Sequence, residues 1–139
     1  MENNEIQNIN NNNDVQNQEN TSESNLSKVL LCQSTISYYN ASKDNYHSKL
    51  YKKALLNIQI YIKLVPNNPK AFILKGKIYL NLKEFEKSLN CFLRCVKLGE
   101  NNIEIIYGIA RSYKELYQFD ESLKYYTKAL ELDPSAKSH

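Results

Sequence analysis

From Leu26 onward, apolar residues recur at spacings of three and four, and alternating strand patterns are absent. That period belongs to amphipathic helices. Breakers are scarce: the chain has three glycines and three prolines, and Pro66 and Pro69 flank a single Asn67-Asn68 turn. The pattern predicts an all-α domain.

The helical pattern also repeats. With residues 69–102 set over 103–136, Phe72 falls on Ile106, Gly76 on Ala110, Tyr79 on Tyr113 and Phe85 on Phe119. Further along, Ser88 falls on Ser122, Leu89 on Leu123, Phe92 on Tyr126, Cys95 on Ala129 and Val96 on Leu130. Small residues meet small ones, and aromatics meet aromatics, at a period of 34. The small pairs, Gly76 with Ser88 and Ala110 with Ser122, let two helix backbones approach closely while Tyr79 and Phe92 fill the flanking volume. Such a pair cannot bury its apolar face alone, so neighbours must stack.

One period earlier the second half repeats again, with Tyr51, Ala54, Ile58, Tyr61 and Leu64 in place, and Pro66 where Pro134 lies two units on. The first half of this unit, residues 35–48, is weaker: Ser42 fits the small position, but Asn45 stands where Tyr79 and Tyr113 do. An alternative places the first helix on Leu26, Val29, Leu30 and Ile36, with a longer loop before Tyr51. Both registers are open on these grounds.

This pattern resembles the tetratricopeptide repeat family. Phe72, Lys75, Gly76, Tyr79, Ser88, Phe92, Cys95 and Glu100 occupy its eight signature positions in the middle unit. Ile106, Ile109, Ala110, Tyr113, Ser122, Tyr126, Ala129 and Pro134 do so in the last. Three departures stand out: Lys75 for an aliphatic, Cys95 for alanine and Glu100 for proline. The resemblance implies a right-handed α-solenoid of about three units, a degenerate 35–68 followed by 69–102 and 103–136, within a domain 26–136 and ahead of a short tail 137–139. It also implies a concave groove lined by the first helices, a scaffold or adaptor function, and no enzyme activity. The family's carboxylate clamp, which grips a chaperone tail, needs an Asn on the first helix of two successive units. Lys43, Lys77, Leu74 and Gly108 stand at those places, and Glu104 where a basic residue belongs, so a co-chaperone role is the alternative reading only.

Composition divides the chain. Residues 1–25 hold ten asparagines, no aromatic residue and five acids with no Lys or Arg, a net −5. Such a segment cannot offset the entropy of ordering its backbone, so a disordered acidic tail is expected. Residues 26–139 carry all 18 basic side chains and 10 acidic ones, a net +8, which favours acidic partners. No basic start or apolar run marks a secretory signal, and no stretch is apolar enough to span a membrane, so a cytoplasmic or nuclear protein is expected. Cys32, Cys91 and Cys95 form no disulfide framework, and with His47 and His139 they offer no metal-ligand spacing. They are read as small apolar residues, with neither cofactor nor metal.

The helical period leaves a second stripe beside the core on each first helix: Tyr39, Lys43 and Tyr46, then Ile73, Lys77 and Leu80, then Tyr107, Arg111 and Lys114. A basic residue recurs at one frame position (Lys43, Lys77, Arg111), with an apolar or aromatic residue four places earlier, and Lys70 adds charge at the rim. The expected partner is a peptide or helix with apolar anchors and acidic side chains. No phosphate loop, His-x-x-x-His, Cys-x-x-Cys or nucleophile with a base is present. Direct nucleic-acid binding is disfavoured because the last unit carries a net −2. Leu123 and Leu130 lie where another helix would pack, so self-association or a longer array is expected at that edge.

Overall fold

The computed structural model describes residues 2–135, with side chains from Ser22 onward; the 137–139 tail lies outside the described residues. Six helices are present: α1 Glu2–His47, α2 Tyr51–Leu64, α3 Pro69–Asn81, α4 Phe85–Lys97, α5 Ile103–Glu115 and α6 Phe119–Leu132. Among the described residues there is no strand. The chain divides into two compact units, Met1–Ile36 and Ser37–His139. In the second, the end of α1 pairs with α2, α3 with α4 and α5 with α6, and the pairs stack as an α-solenoid.

Residues 1–25, expected to be disordered, have a helical backbone from Glu2. No glycine or proline occurs before Pro66, and i→i−4 bonds need no core, so a helix can run through a segment of this composition. The side chains of residues 2–21 lie outside the described residues. Leu26, Val29, Leu30, Leu31 and Ile36 are exposed.

The turns settle the register of the first unit. Lys49, Lys83 and Tyr117 all have left-handed backbone, with φ 63°, 61° and 61°, at intervals of 34 residues. Around each, the same two bonds close the first helix: Lys49 N to Tyr46 O and Leu50 N to Asn45 O, Lys83 N to Leu80 O and Glu84 N to Tyr79 O, Tyr117 N to Lys114 O and Gln118 N to Tyr113 O. These Schellman-type closures satisfy carbonyls that a helix end leaves open. The short turn before Tyr51 therefore replaces the longer loop considered above. Glycine, the usual residue for this conformation, is absent from all three sites.

The small positions meet as their pattern predicts, and each contact carries a hydrogen bond. Ser88 Oγ donates to Gly76 O (3.1 Å) and Ser122 Oγ to Ala110 O (2.9 Å). In the first unit the roles reverse: Ser42 Oγ, on the first helix, donates to Ala54 O on the second (2.7 Å). A buried hydroxyl is thereby satisfied while the backbones stay close. Ser88 also bonds the Ser112 hydroxyl across to the next pair at 3.0 Å.

Phe92 stands at the centre, 1% exposed. Its ring fills the space that a side chain at Gly76 or Gly108 would take: a Cβ there would come within 2.7 and 2.5 Å of its Cζ. One core cluster joins Ala54, Ile58, Tyr61, Ala71, Leu74 and Ile78. The other joins Ile73, Leu80, Phe92, Cys95, Ile105 and Ile109. Tyr79, Ala110 and Ala129 are buried, whereas Tyr113 and Tyr126 are half-buried.

Each departure from the repeat pattern has a local cause. The Lys75 ammonium lies 5.8 Å from the centre of the Tyr79 ring, and Lys87 approaches the same ring equally closely. Cys95 is fully buried, with Sγ toward Cys91 O (3.4 Å) and Pro69 O (3.5 Å). Units one and three end at Val65 and Asp133, each just before a proline and outside the helical region. The middle unit ends through Gly99, at φ 91°, and the Glu100 N–H bonds Cys95 O at 3.1 Å, a bond that proline cannot make.

Candidate functional site

The first helices are aimed by their starts as much as by their cores. Asn68 and Asn102, 34 residues apart, cap α3 and α5 by accepting from Lys70 N (3.1 Å) and Ile105 N (3.0 Å). Asn68 Nδ2 also donates to the Tyr61 hydroxyl at 2.8 Å, tying the start of α3 to α2. These anchors fix the starts of α3 and α5, which share one face with the end of α1.

Two hollows lie on that face. The first, of about 300 Å³, lies over α1 and α3 and is walled by Tyr39, Lys43, Lys70, Ile73 and Lys77. The second, of about 720 Å³, continues over α5 and is walled by Lys77, Tyr107, Arg111 and Lys114. Tyr46, Lys77 and Glu104 border both, so the hollows adjoin. The nine residues of the second stripe, together with Lys70, thus line the two hollows. Their exposures differ: Lys43, Lys70, Arg111 and Lys114 are exposed, Tyr39, Lys77 and Tyr107 half-buried. Ile73, at 9% exposure, belongs mainly to the core and offers only its edge to the hollow.

A pair of aromatic rings stands at each end, Tyr39 and Tyr107 lining the hollows. The rings of Tyr39 and Tyr61 lie 5.2 Å apart, and those of Tyr107 and Tyr126 6.1 Å apart. Burial raises the Tyr39 phenol above its ordinary value; Tyr61 and Glu104 add to this and Lys77 opposes it. Burial likewise raises Tyr126, with Arg111 opposing and Glu115 and Tyr107 adding. Both phenols are therefore neutral hydrogen-bond donors near neutral pH, set beside cations.

Charge on this face is not uniform. Lys77 is ion-paired with Glu104 across two first helices, and both remain partly open to solvent. Lys43 and Arg111 stand on either side of that pair. The site therefore holds cations at both ends and a salt bridge in the middle. Tyr126, His47, Asn102 and Asn81 also line the hollows and were not in the second stripe. Tyr126 comes from a second helix, and its sequence signal, the large-aromatic position matching Phe92, points to core rather than to surface.

Comparison with known proteins follows this geometry. Two family profiles, both described as Tetratricopeptide repeat, match residues 69–102 and 103–136. The chain is 32% identical over 103 residues to the Protein CTR9 homolog of Arabidopsis thaliana, covering 70% of this chain and 9% of that protein. The chain thus spans under a tenth of that curated relative. Among solved structures, the Arabidopsis OM64 TPR domain superposes with a TM-score of 0.71 at 19% identity, covering 76% of this chain and 87% of that one. The first TPR of Spaghetti (RPAP3) bound to HSP90 peptide SRMEEVD gives 0.70 at 19% identity, covering 76% and 83%. At such identities the likeness concerns the fold.

Proposed function

The chain belongs to the tetratricopeptide repeat family and has that family's interaction fold, and on this premise we propose that it is a scaffold or adaptor that holds an acidic, apolar-anchored segment of a partner protein along α1, α3 and α5. The adjoining hollows walled by Tyr39, Lys43, Lys77, Tyr107 and Arg111 carry the proposal. Tyrosine supplies flat contact area at low entropic cost, and its hydroxyl donates to carboxylates or backbone carbonyls. Lys43 and Arg111 give the two ends of a bound segment separate charged contacts. A structural neighbour of this fold is bound to a peptide with two adjacent glutamates and a terminal aspartate. The clamp positions differ here, with Glu104 opposed to any carboxylate near Lys77. The preferred segment is therefore one whose acidic residues lie apart, over Lys43 and Arg111, with an apolar or neutral stretch between.

Fluorescence anisotropy with labelled peptides of that design tests the reading. Reversal of Lys43, Lys77 and Arg111 to glutamate is expected to weaken binding at least tenfold, about 1.4 kcal/mol. Equal binding by the triple variant would contradict it.

A further inference from the structure

The two ends of the candidate face differ in what they can hold. The first hollow, of about 300 Å³, has Lys43, Lys70 and Lys77 in its wall against one carboxylate, Glu104, with His47 beside them. Glu104 is taken up by Lys77. Among the described residues, Lys43 and Lys70 have no ion-pair partner, and both are exposed. Asp44, the neighbour of Lys43 in sequence, does not line the hollow. Beyond it, from Asn45 to Lys83, the chain has eight lysines and no aspartate or glutamate. Lys70 sits in the first turn of α3, which carries no acid. A cation there opposes the helix dipole and adds to the positive potential of the free N–H groups. The second hollow, of about 720 Å³, is wider and gains apolar lining from Leu80, Phe92 and Ile103. Glu115 acts on the Tyr126 phenol at that end, so the cations there have a counter-charge close by.

We propose that the first hollow is a phosphate subsite, which takes a phosphorylated side chain of the partner segment while apolar residues of that segment lie in the second hollow. This rests on the groove reading above and names the chemistry of one end of it. Charge balance selects the ligand. Three ammonium groups against one carboxylate leave an excess that a single carboxylate would only half neutralise. A phosphoryl group near neutral pH carries a charge of about −1.5 to −2 and three strong acceptor oxygens, which matches the excess. Lysine ammonium groups supply rotatable donors to those oxygens, and the Tyr39 hydroxyl lies in the same wall. The two hollows share Tyr46 and Lys77. A chain held in the first can therefore continue over α5, which favours a phosphorylated segment over an isolated headgroup.

Fluorescence anisotropy of the full chain with three matched peptides is the test. Each has an apolar centre and a glutamate near one end; the other end carries phosphoserine, glutamate or serine, and both chain directions are measured. In the better direction, phosphoserine is expected to bind about tenfold tighter than glutamate, the gain from one further charge-assisted hydrogen bond. Lys43→Gln with Lys70→Gln should cut that preference to about twofold, with unchanged circular dichroism, because both side chains are exposed. Arg111→Gln should weaken both peptides alike and keep the preference. Lys53→Gln with Lys63→Gln, an equal loss of charge on exposed positions of α2 outside both hollows, should leave it intact. Equal affinity for phosphoserine and glutamate would overturn the inference and leave the groove reading standing, whereas binding of neither would remove both. A preference that survives the loss of Lys43 and Lys70, or that falls as far on the loss of Lys53 and Lys63, would also overturn it. So would tighter binding, through Lys43 and Lys70, of phosphatidylcholine vesicles containing phosphatidylinositol 4-phosphate, which would assign the hollow to a lipid headgroup.

Discussion

Gly108→Ala should destabilise the protein, although a glycine in the middle of a helix ordinarily gains about 1 kcal/mol on becoming alanine. The reason is Phe92. A Cβ on Gly108 would lie 2.5 Å from ring Cζ and 2.6 Å from both Cε atoms, where carbon pairs settle at about 3.5–4.0 Å. The ring must retreat by about 1 Å. It is 1% exposed and meets Gly76 on its other side, where the corresponding distance is 2.7 Å. Overpacking of this kind costs about 1–3 kcal/mol; less the propensity gain of about 1 kcal/mol, the net loss is about 1 kcal/mol. Urea denaturation of a double-mutant cycle isolates the effect. Phe92→Leu shortens the ring and costs stability itself, but in that background Gly108→Ala should stabilise by about 0.5–1 kcal/mol, a coupling of about 2 kcal/mol. If Gly108→Ala stabilises equally in both backgrounds, the ring does not set the spacing between the second and third units.

Five further outcomes follow from the same geometry. Lys83→Gly and Tyr117→Gly should each raise stability by about 0.5–1 kcal/mol, because they relieve a left-handed side-chain residue while adding unfolded-state freedom; denaturation midpoints report it. Glu100→Pro, although it restores the repeat's usual proline, should cost about 1–3 kcal/mol by deleting the N–H that bonds Cys95 O. Burial holds the Cys91 and Cys95 thiols up at about 11 and about 12, so a thiol reagent at about pH 8 should label exposed Cys32 alone until the chain unfolds. Because the folded state keeps those protons where an unfolded thiol, with its ordinary value of 9.0, begins to lose them, stability should be unaffected below that value and should fall from there as pH rises through about 11 and about 12. Glu104→Gln should free Lys77 and tighten acidic-peptide binding about two- to fivefold, with a steeper dependence on salt.

Much of the fold is legible in residue spacing because the constraint repeats: Ser88 and Ser122 must be small where two backbones touch, and each touch recurs one period later. The first unit is harder to read for the same reason. Its serine sits on the opposite helix of the pair, Asn45 replaces the flanking tyrosine, and the left-handed turn residue is Lys49 rather than glycine. The close approach of Phe92 to Gly108 is not legible in spacing, because it joins neighbouring units and Leu74 occupies the same frame position one repeat earlier. On the candidate face, the positions of Tyr39, Lys43, Lys77, Tyr107 and Arg111 follow from helical period alone. The Lys77–Glu104 pair does not, since it joins residues of different units across a stacking distance that spacing within one helix does not encode. Ile73 lies on that stripe too, but stacking from the neighbouring unit leaves only its edge at the hollow.

The central claim is that the face of α1, α3 and α5 is the binding surface. A ¹⁵N-resolved NMR titration of the full chain tests it, using a peptide with an acidic residue near each end and apolar residues between. The account predicts that shift changes gather on Tyr39, Lys43, Lys77, Tyr107 and Arg111, with the outward side of α2 and α4 (Lys53, Lys87) silent. Changes confined to those second helices, or saturable binding that leaves the first helices unperturbed, would contradict it.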